Sequence, residues 1–352
     1  MSYYVNKDVD KLDRMDNPSG RESYLRMDMN ENPRGLPSDF VRSVLDDVSP
    51  DFLSTYPNAQ SFVKAYSEHI GLSEDHIRPT NGSDMGIRMI YEVFGEKGKD
   101  VVTVSPTFEM YRIYAEMMGL NHKSVRYNED LSFSMDKLIS AIDSNTTIVS
   151  ILNPNNPIGD VFDRSDIERV IEKARDVGAI VIVDEAYHYF CDSSCVDMID
   201  RYDNVIVLRT FSKIFSLAAC RLGVVLSNPA IIQEIFKAQP SFDVNSFALL
   251  FGEKVISDDA LLGRLKTEFR EGRDYLFSWL NGHGYKTIAG EGNYLFFQPK
   301  RDSFELSALL KDKMVLVKTY GDPLLKKYIR LTIGDIASMR RFTDILSETD
   351  VI

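Results

Sequence analysis

The sequence predicts an α/β protein: a large unit built on a mostly parallel sheet covered by helices, and a smaller α+β unit joined to it. Three observations carry this. Short β-branched runs recur through the middle of the chain and are continuous instead of alternating, the pattern of strands buried on both faces. Helical periodicity fills the gaps between them, so strand and helix alternate as they do in parallel sheets. After about residue 240 this alternation gives way to one long helix and a few strands.

Taken in order, "VVTVSP" (101–106), "TIVSILNP" (147–154), "AIVIVDEAY" (179–187), "NVIVLRT" (204–210) and "LGVVLSNP" (222–229) read as strands. Between them, "DRSDIERVIEKARDVG" (163–178) reads as a helix, with Ser165 or Asp166 offering the cap and Gly178 the stop. Further on, "DALLGRLKTEFREGRDYLFSWLNGHG" is a long amphipathic helix. The strands "YKTIAG", "GNYLFFQ" and "YIRLTIG" follow, with the helix "FELSALLKDK" among them. A chain of 352 residues is too long for one simple core. The expected division is 45–240 for the large unit, with 1–44 and 241–352 forming the smaller one.

A net charge of −12 argues against nucleic acid or an anionic membrane as a partner, so an anionic ligand needs a local cluster of cations. The N-terminus is polar and lacks the apolar segment of a signal peptide. No apolar run approaches the roughly 20 residues that span a bilayer, and the expected compartment is the cytoplasm. Cys191, Cys195 and Cys220 are odd in number, and no second pair or nearby histidine completes a zinc site. They read as buried, reduced thiols, and no metal is expected.

The informative residues stand where an open α/β sheet places a ligand, beyond the carboxyl ends of its strands. Asn153, Asn155 and Asn156 stand in "NPNNPIG", Asp184 and Tyr187 in "DEAY", and Thr210, Ser212 and Lys213 after "NVIVLR". In "TNGSDMGIRMIYEVF" (80–94), Gly82, Ser83 and Asp84 open a helix whose free N–H groups suit a phosphate. Singly, each is a turn, a cap or a surface lysine; jointly they have a chemical logic. A phosphorylated pyridine aldehyde needs a lysine for its carbonyl and a carboxylate for its ring nitrogen. It also needs a phenol and an amide for its ring hydroxyl, and cations, hydroxyls and a helix start for its phosphate. An aromatic residue must cover one ring face.

The motifs "MDMNENPRGLP" (27–37), "TYPNAQ" (55–60), "TNGSDMGI", "SPTFEMY" (105–111), "NPNNPIG", "DEAYHYF", "RTFSKIFSLAACRLG" (209–223) and "YIRLTIG" (328–334) span nearly the whole chain. In order and spacing they resemble the fold-type I, pyridoxal-phosphate-dependent class I/II aminotransferases, and more narrowly the histidinol-phosphate aminotransferases. The resemblance implies a seven-stranded, mostly parallel sheet sandwiched by helices, and pyridoxal 5'-phosphate as cofactor. It makes Lys213 the residue that bonds the cofactor's aldehyde carbon and shuttles the substrate's α-proton. Asp184 becomes the partner of the ring nitrogen, with Asn156 and Tyr187 on the ring hydroxyl. Ser83, Asp84, Thr210, Ser212 and Arg221 become phosphate ligands. Phe108 takes the place of the stacking aromatic, commonly a tyrosine in this branch, and Tyr56 that of a tyrosine given across a homodimer interface. Arg330 matches the arginine on the substrate carboxylate, and Asn30 a residue near the substrate.

The substrate end departs from the family pattern. "VLVKTYGDP" carries Lys318 where a second arginine is usual, and "NNPIG" puts Ile158 in place of a threonine. Tyr24 is the candidate for the family's N-terminal substrate tyrosine. The implied function is transfer of an amino group between L-glutamate and a phosphorylated keto substrate, by default the histidinol phosphate/imidazole acetol phosphate pair. Alternatives are another small phosphorylated ketone from a specialised biosynthetic pathway, or a lyase like threonine-phosphate decarboxylase. A non-catalytic binder on the same fold would tolerate loss of Lys213.

Overall fold

The computed structural model describes residues 3–13 and 19–351. Among the described residues twelve strands form three sheets. In chain order they are β1 (Leu25–Met27), β2 (Ile77–Asn81), β3 (Asp100–Ser105), β4 (Asn121–Arg126), β5 (Thr146–Leu152), β6 (Ile180–Asp184), β7 (Val205–Thr210), β8 (Leu222–Ser227), β9 (Lys286–Ala289), β10 (Tyr294–Gln298), β11 (Val315–Val317) and β12 (Ile329–Thr332). The large sheet has seven strands in the order β2-β8-β7-β6-β5-β3-β4. It is parallel from β7 through β4, and β8 runs antiparallel to both of its neighbours. The run "LGVVLSNP" is therefore a buried strand of reversed direction: burial on both faces makes a continuous apolar run whichever way a strand points.

Alternate side chains of the central strands enter two apolar layers. Val181, Val183, Val205 and Val207 belong to one, and Ile182, Ile206 and Leu208 to the other. This period fixes the site. Asp184 ends β6 in step with Ile182, and Thr210 ends β7 in step with Leu208, so both face the same side. Glu185 and Arg209 face the other side, where they form a buried ion pair at 2.9 Å.

The helix Arg164–Asp176 buries Ile167, Val170, Ile171 and Ala174, and Gly178 follows it at φ 78°. Its preceding residue is Asp163, not Ser165 or Asp166, which lie within its first turn, and no side chain caps it. A smaller core gathers Leu25, Met27, Leu295, Phe297, Val315, Ile329 and Leu331 from the antiparallel sheet β12-β10-β9 and the parallel pair β1-β11, with Phe342 from the helix Ile336–Thr349. The N-terminal segment enters this unit through β1, which pairs with β11. The helix Asp259–Gly282 serves both cores: Leu261, Leu262 and Leu265 pack in the larger, Leu276 and Leu280 in the smaller. The helix Ser246–Ile256 also buries Ala248, Leu249 and Val255 in the larger core, which thus continues past residue 240. No described helix is long and apolar enough to cross a membrane. Cys195 is buried, whereas Cys191 and Cys220 are only half-buried, because both lie in connecting segments near the surface; all three are free thiols.

The start of β8 lies against the start of the helix Gly82–Phe94. A Cβ on Gly223 would fall on the Ser83 nitrogen and 2.8 Å from its Cα. The obstruction is backbone, which cannot swing aside. Gly223→Ala should lower stability by about 1–3 kcal/mol, the usual range for overpacking. Thermal unfolding of the variant beside the parent checks this, and an unchanged midpoint would refute the close contact.

Candidate active site

Five segments meet at the carboxyl ends of β5, β6 and β7. Asp184 ends β6 and is 2 % exposed. Its Oδ1 accepts the Ala186 N–H at 3.0 Å and its Oδ2 accepts the Tyr111 O–H at 2.6 Å. Burial pushes its pKa up to about 6 despite both donors. Three residues on, the buried Tyr187 hydroxyl accepts Asn30 Nδ2–H at 2.8 Å, and burial raises its pKa to about 12.

Lys213 lies three residues beyond the end of β7. Its Nζ donates to the Met29 carbonyl at 3.2 Å and sits 5.8 Å from the centre of the Tyr187 ring. Burial foremost, and then the positive charge of Arg330, lower its pKa to about 8; Glu31 and Asp184 oppose this. Thr210 Oγ1 donates to Ser212 Oγ at 3.1 Å and accepts the Ser212 N–H at 3.2 Å. Arg221 has a left-handed backbone, and its Nη1 donates to the Ala218 carbonyl at 3.3 Å.

The helix Gly82–Phe94 begins beside that guanidinium, and among the described residues no side chain caps it. Gly82 has φ +77°, and a Cβ there would lie 2.6 Å from Arg221 Nη2. Only glycine permits both the backbone conformation and the guanidinium's approach. Ser83 and Asp84 occupy the first turn, and the Asp84 Oδ2 accepts the Tyr114 O–H at 3.0 Å. Phe108, half-buried in the loop after β3, meets Tyr111 edge to face.

Arg330 on β12 is 5 % exposed. Its Nη1 donates to Asn156 Oδ1 at 2.8 Å and its Nη2 to the Asp28 carbonyl at 2.5 Å, while its buried Nε has no partner among the described residues. Lys318 exchanges both backbone hydrogen bonds with Arg330, at 3.1 and 2.8 Å. In such an antiparallel pair the two side chains leave the same face. Their cationic groups each lie 5.9 Å from the centre of the Tyr320 ring.

The structure thus brings together Ser83, Asp84, Phe108, Asn156, Asp184, Tyr187, Thr210, Ser212, Lys213, Arg221, Asn30, Arg330 and Lys318. The remaining candidates lie as follows. Tyr24 is half-buried in the turn before β1 and has no hydrogen bond to any of these residues. Two arginines of that segment form ion pairs instead: Arg21 donates to Asp28 Oδ1 at 2.6 Å and to both Glu31 oxygens at 3.0 and 3.2 Å, and Arg26 Nε donates to Glu31 Oε2 at 3.2 Å. Asn30 is committed to protein partners: its Nδ2 serves Tyr187, and its Oδ1 accepts the Thr332 O–H at 3.2 Å. Ile158 is buried in the larger core, so the hydroxyl lost there would have faced packed side chains. Tyr56 lies 76 % exposed, stacked on Phe242 at 4.5 Å. Sequence reasoning passed over Tyr111; its helical spacing of three from Phe108 was the available signal.

The donor set fits pyridoxal 5'-phosphate. An uncapped helix start with Arg221, Ser83, Thr210 and Ser212 could hold a phosphate. Asp184 could hold a protonated ring nitrogen, Asn156 and Tyr187 a ring hydroxyl, and Lys213 an aldehyde carbon. Among the described residues no group of His, Cys, Asp and Glu could hold a metal ion.

A family model described as aminotransferase class I and II matches residues 23–346. The histidinol-phosphate aminotransferase of Clostridium novyi (strain NT) is 33% identical over 319 residues, covering 90% of this chain and 88% of its own. That of Caldanaerobacter subterraneus subsp. tengcongensis is 32% identical over 314 residues, covering 88% of each chain. Among solved structures, histidinol-phosphate aminotransferase from Sinorhizobium meliloti in complex with pyridoxal-5'-phosphate superposes with a TM-score of 0.86 at 21% identity, covering 99% of this chain and 97% of that one. A Thermus thermophilus aspartate aminotransferase double mutant gives 0.80 at 15% identity, covering 99% and 100%. These two share the fold. The family match over most of the length, together with a lysine, an aspartate and a phosphate cradle converging on one face of a seven-stranded sheet, places the chain in the class I and II aminotransferase family, as a pyridoxal-phosphate-dependent transaminase of the histidinol-phosphate aminotransferase type.

Proposed function

We propose that the protein moves an amino group between L-glutamate and a phosphorylated keto substrate, with histidinol phosphate and imidazole acetol phosphate as the default pair. The observation that carries this reading is Arg330: a buried guanidinium with an unpaired Nε, beside Lys318 and within the electrostatic reach of Lys213. A buried donor without a partner is unfavourable, and an acid group on a ligand would satisfy it. Lys318 adds a second cation on the same face, suited to a phosphate as a point charge. The curated relatives are named for histidinol phosphate, which supports the default.

When bound, pyridoxal 5'-phosphate supplies the electron sink for charge left at the substrate's α-carbon. The chain's own residues do the rest. Lys213, with its pKa near 8, is neutral in part at physiological pH and can take and return a proton at Nζ. Asp184 would accept the N–H of a protonated ring nitrogen, Asn156 and Tyr187 would orient the ring hydroxyl, and Phe108 would cover a ring face. Ser83, Thr210, Ser212 and Arg221 hold the phosphate, with Asp84 contributing its place in the helix's first turn. Arg330 aligns the substrate's acid group. Asn30 acts through Tyr187.

The reading includes a homodimer. Tyr56, Leu53, Phe236 and Phe242 are each more than half exposed, an apolar face that a second copy would cover while receiving Tyr56 at its own cofactor phosphate. It also includes a division into a large cofactor-binding unit and a smaller unit, supported by the separate smaller core; the larger core runs past the expected bound at 240 through the helix Ser246–Ile256, which puts the seam along the helix Asp259–Gly282. Free thiols fit a reducing compartment, here the cytoplasm.

L-Glutamate and histidinol phosphate, added separately to the yellow holoenzyme, should each bleach its visible band. Bleaching by glutamate alone would assign another phosphorylated acceptor, and release of carbon dioxide from threonine phosphate would assign a lyase. Lys318→Ala should weaken the phosphorylated substrate about tenfold more than glutamate, as expected for a lost charged hydrogen bond; equal effects would place Lys318 outside the site.

Capture of added cofactor by apoprotein should rise with pH through a midpoint near 8, since only the neutral Lys213 amine reacts. Removing the cation in Arg330→Gln makes the ammonium form less unfavourable, so the midpoint should move to higher pH. Stopped-flow absorbance reads both, and a midpoint that stays put would remove Arg330 from the account. Sedimentation should show a dimer that Tyr56→Ala leaves assembled but with weaker cofactor binding; a fully active monomer would refute the shared site.

A further inference from the structure

The mechanism above gives no task to Tyr111. It opens the helix Met110–Met117 together with Met110, three residues after Phe108, and the two rings meet at 6.1 Å and 90°. Its side chain is fully buried, and its hydroxyl reaches Asp184 Oδ2 at 2.6 Å, the length of a hydrogen bond to a charged acceptor. The other oxygen of Asp184 already accepts the Ala186 N–H at 3.0 Å. Two donors aimed at the two oxygens favour the ionised carboxylate. The remaining charges that act on Asp184 divide: Glu185 favours its protonated form and Lys213 its ionised form. Tyr187 also lies within the same field.

We propose that Tyr111 is a positioning residue: by donating its hydroxyl to Asp184 it keeps that carboxylate ionised, so that the proton shared with the cofactor's ring nitrogen stays on nitrogen. This rests on the reading of Asp184 as the ring-nitrogen partner. A carboxylate that already accepts two hydrogen bonds is a weaker base. Without the tyrosine hydroxyl, Asp184 Oδ2 becomes the stronger base and draws the proton toward oxygen. The same turn of helix then sets both the ring that covers the cofactor and the donor that tunes its nitrogen.

The test is the ¹⁵N signal of holoenzyme reconstituted with pyridine-¹⁵N-labelled pyridoxal phosphate, read beside the cofactor dissociation constant and the pH profile of kcat. Tyr111→Phe keeps the ring packing and removes only the hydroxyl. It should move the nitrogen signal toward that of neutral pyridine, lower kcat about tenfold with KM little changed, and raise the acid limb of the profile. Tyr111→3-fluorotyrosine, a stronger donor, should move the signal the other way. Adding Tyr111→Phe to Asp184→Asn should change the signal no further, because the hydroxyl acts through that carboxylate. If Asp184→Asn moves the signal and Tyr111→Phe does not, the inference is overturned and Tyr111 only packs. If neither moves it, the assignment of Asp184 itself fails.

Discussion

Two cations share one buried site: the Lys213 amine and the Arg330 guanidinium. Burial first, and then the positive charge of Arg330, raise the free energy of the Lys213 ammonium. The surroundings show how the fold tolerates this. The Asp28 and Met29 carbonyls, Asn156, Asp184 and Glu31 lie around the pair and offset part of the repulsion. The remainder appears as a lysine that gives up its proton readily and an arginine with a donor to spare. Both are properties a site for anionic ligands and proton transfer requires. A chain with net charge −12 thus keeps a local pair of cations at this site.

The alternation of side chains along β6 and β7 places chemistry on one face of the sheet and its support on the other. Asp184 and Thr210 face the cofactor side, while Glu185 and Arg209, their immediate neighbours, pair behind them. That pair is closed by Ser194, which donates to Glu185 at 3.0 Å and accepts from Arg209 at 3.0 Å, and by the Cys195 N–H. A buried ion pair adds little net stability, but it strongly penalises any register other than the one that makes it. Its effect is to lock the ends of two strands whose last residues must stay aligned.

Much of this was legible before any coordinates. Five strands of the central sheet, β3, β5, β6, β7 and β8, are short apolar runs that local pattern finds, and several candidate site residues follow them; the edge strands β2 and β4 carry polar residues along their length and escape that pattern. The candidates for a phosphate, Gly82, Ser83, Thr210, Ser212 and Arg221, stand out because they occupy compact motifs. What could not be read depends on segments far apart in sequence. Tyr111 meets Asp184 across 73 residues, and its helix reads locally as ordinary packing. Asn30 matched a motif near the substrate, yet its amide is spent 157 residues away on Tyr187. Tyr24 stood out by residue type, whereas the ion pairs of Arg21 and Arg26 with Glu31 form only once the chain folds back on itself. The direction of β8 was hidden because burial, not direction, sets its composition.

Arg330 joins three separate stretches of chain: its own strand, the Asn156 loop 174 residues earlier, and the Asp28 carbonyl 302 residues earlier. The side chain proposed to receive the substrate is thus also a clasp between distant segments. The segment from Asp28 to Asn32 supplies the carbonyl under Lys213, the amide on Tyr187 and, through Asn32, a hydrogen bond to Ser216 in the lysine loop. It works as a built-in inner ligand, threaded through the centre before any small molecule arrives. A substitution or insertion between Asp28 and Asn32 therefore disturbs the surroundings of Lys213 and Tyr187 directly, although those residues lie more than a hundred and fifty positions away in sequence.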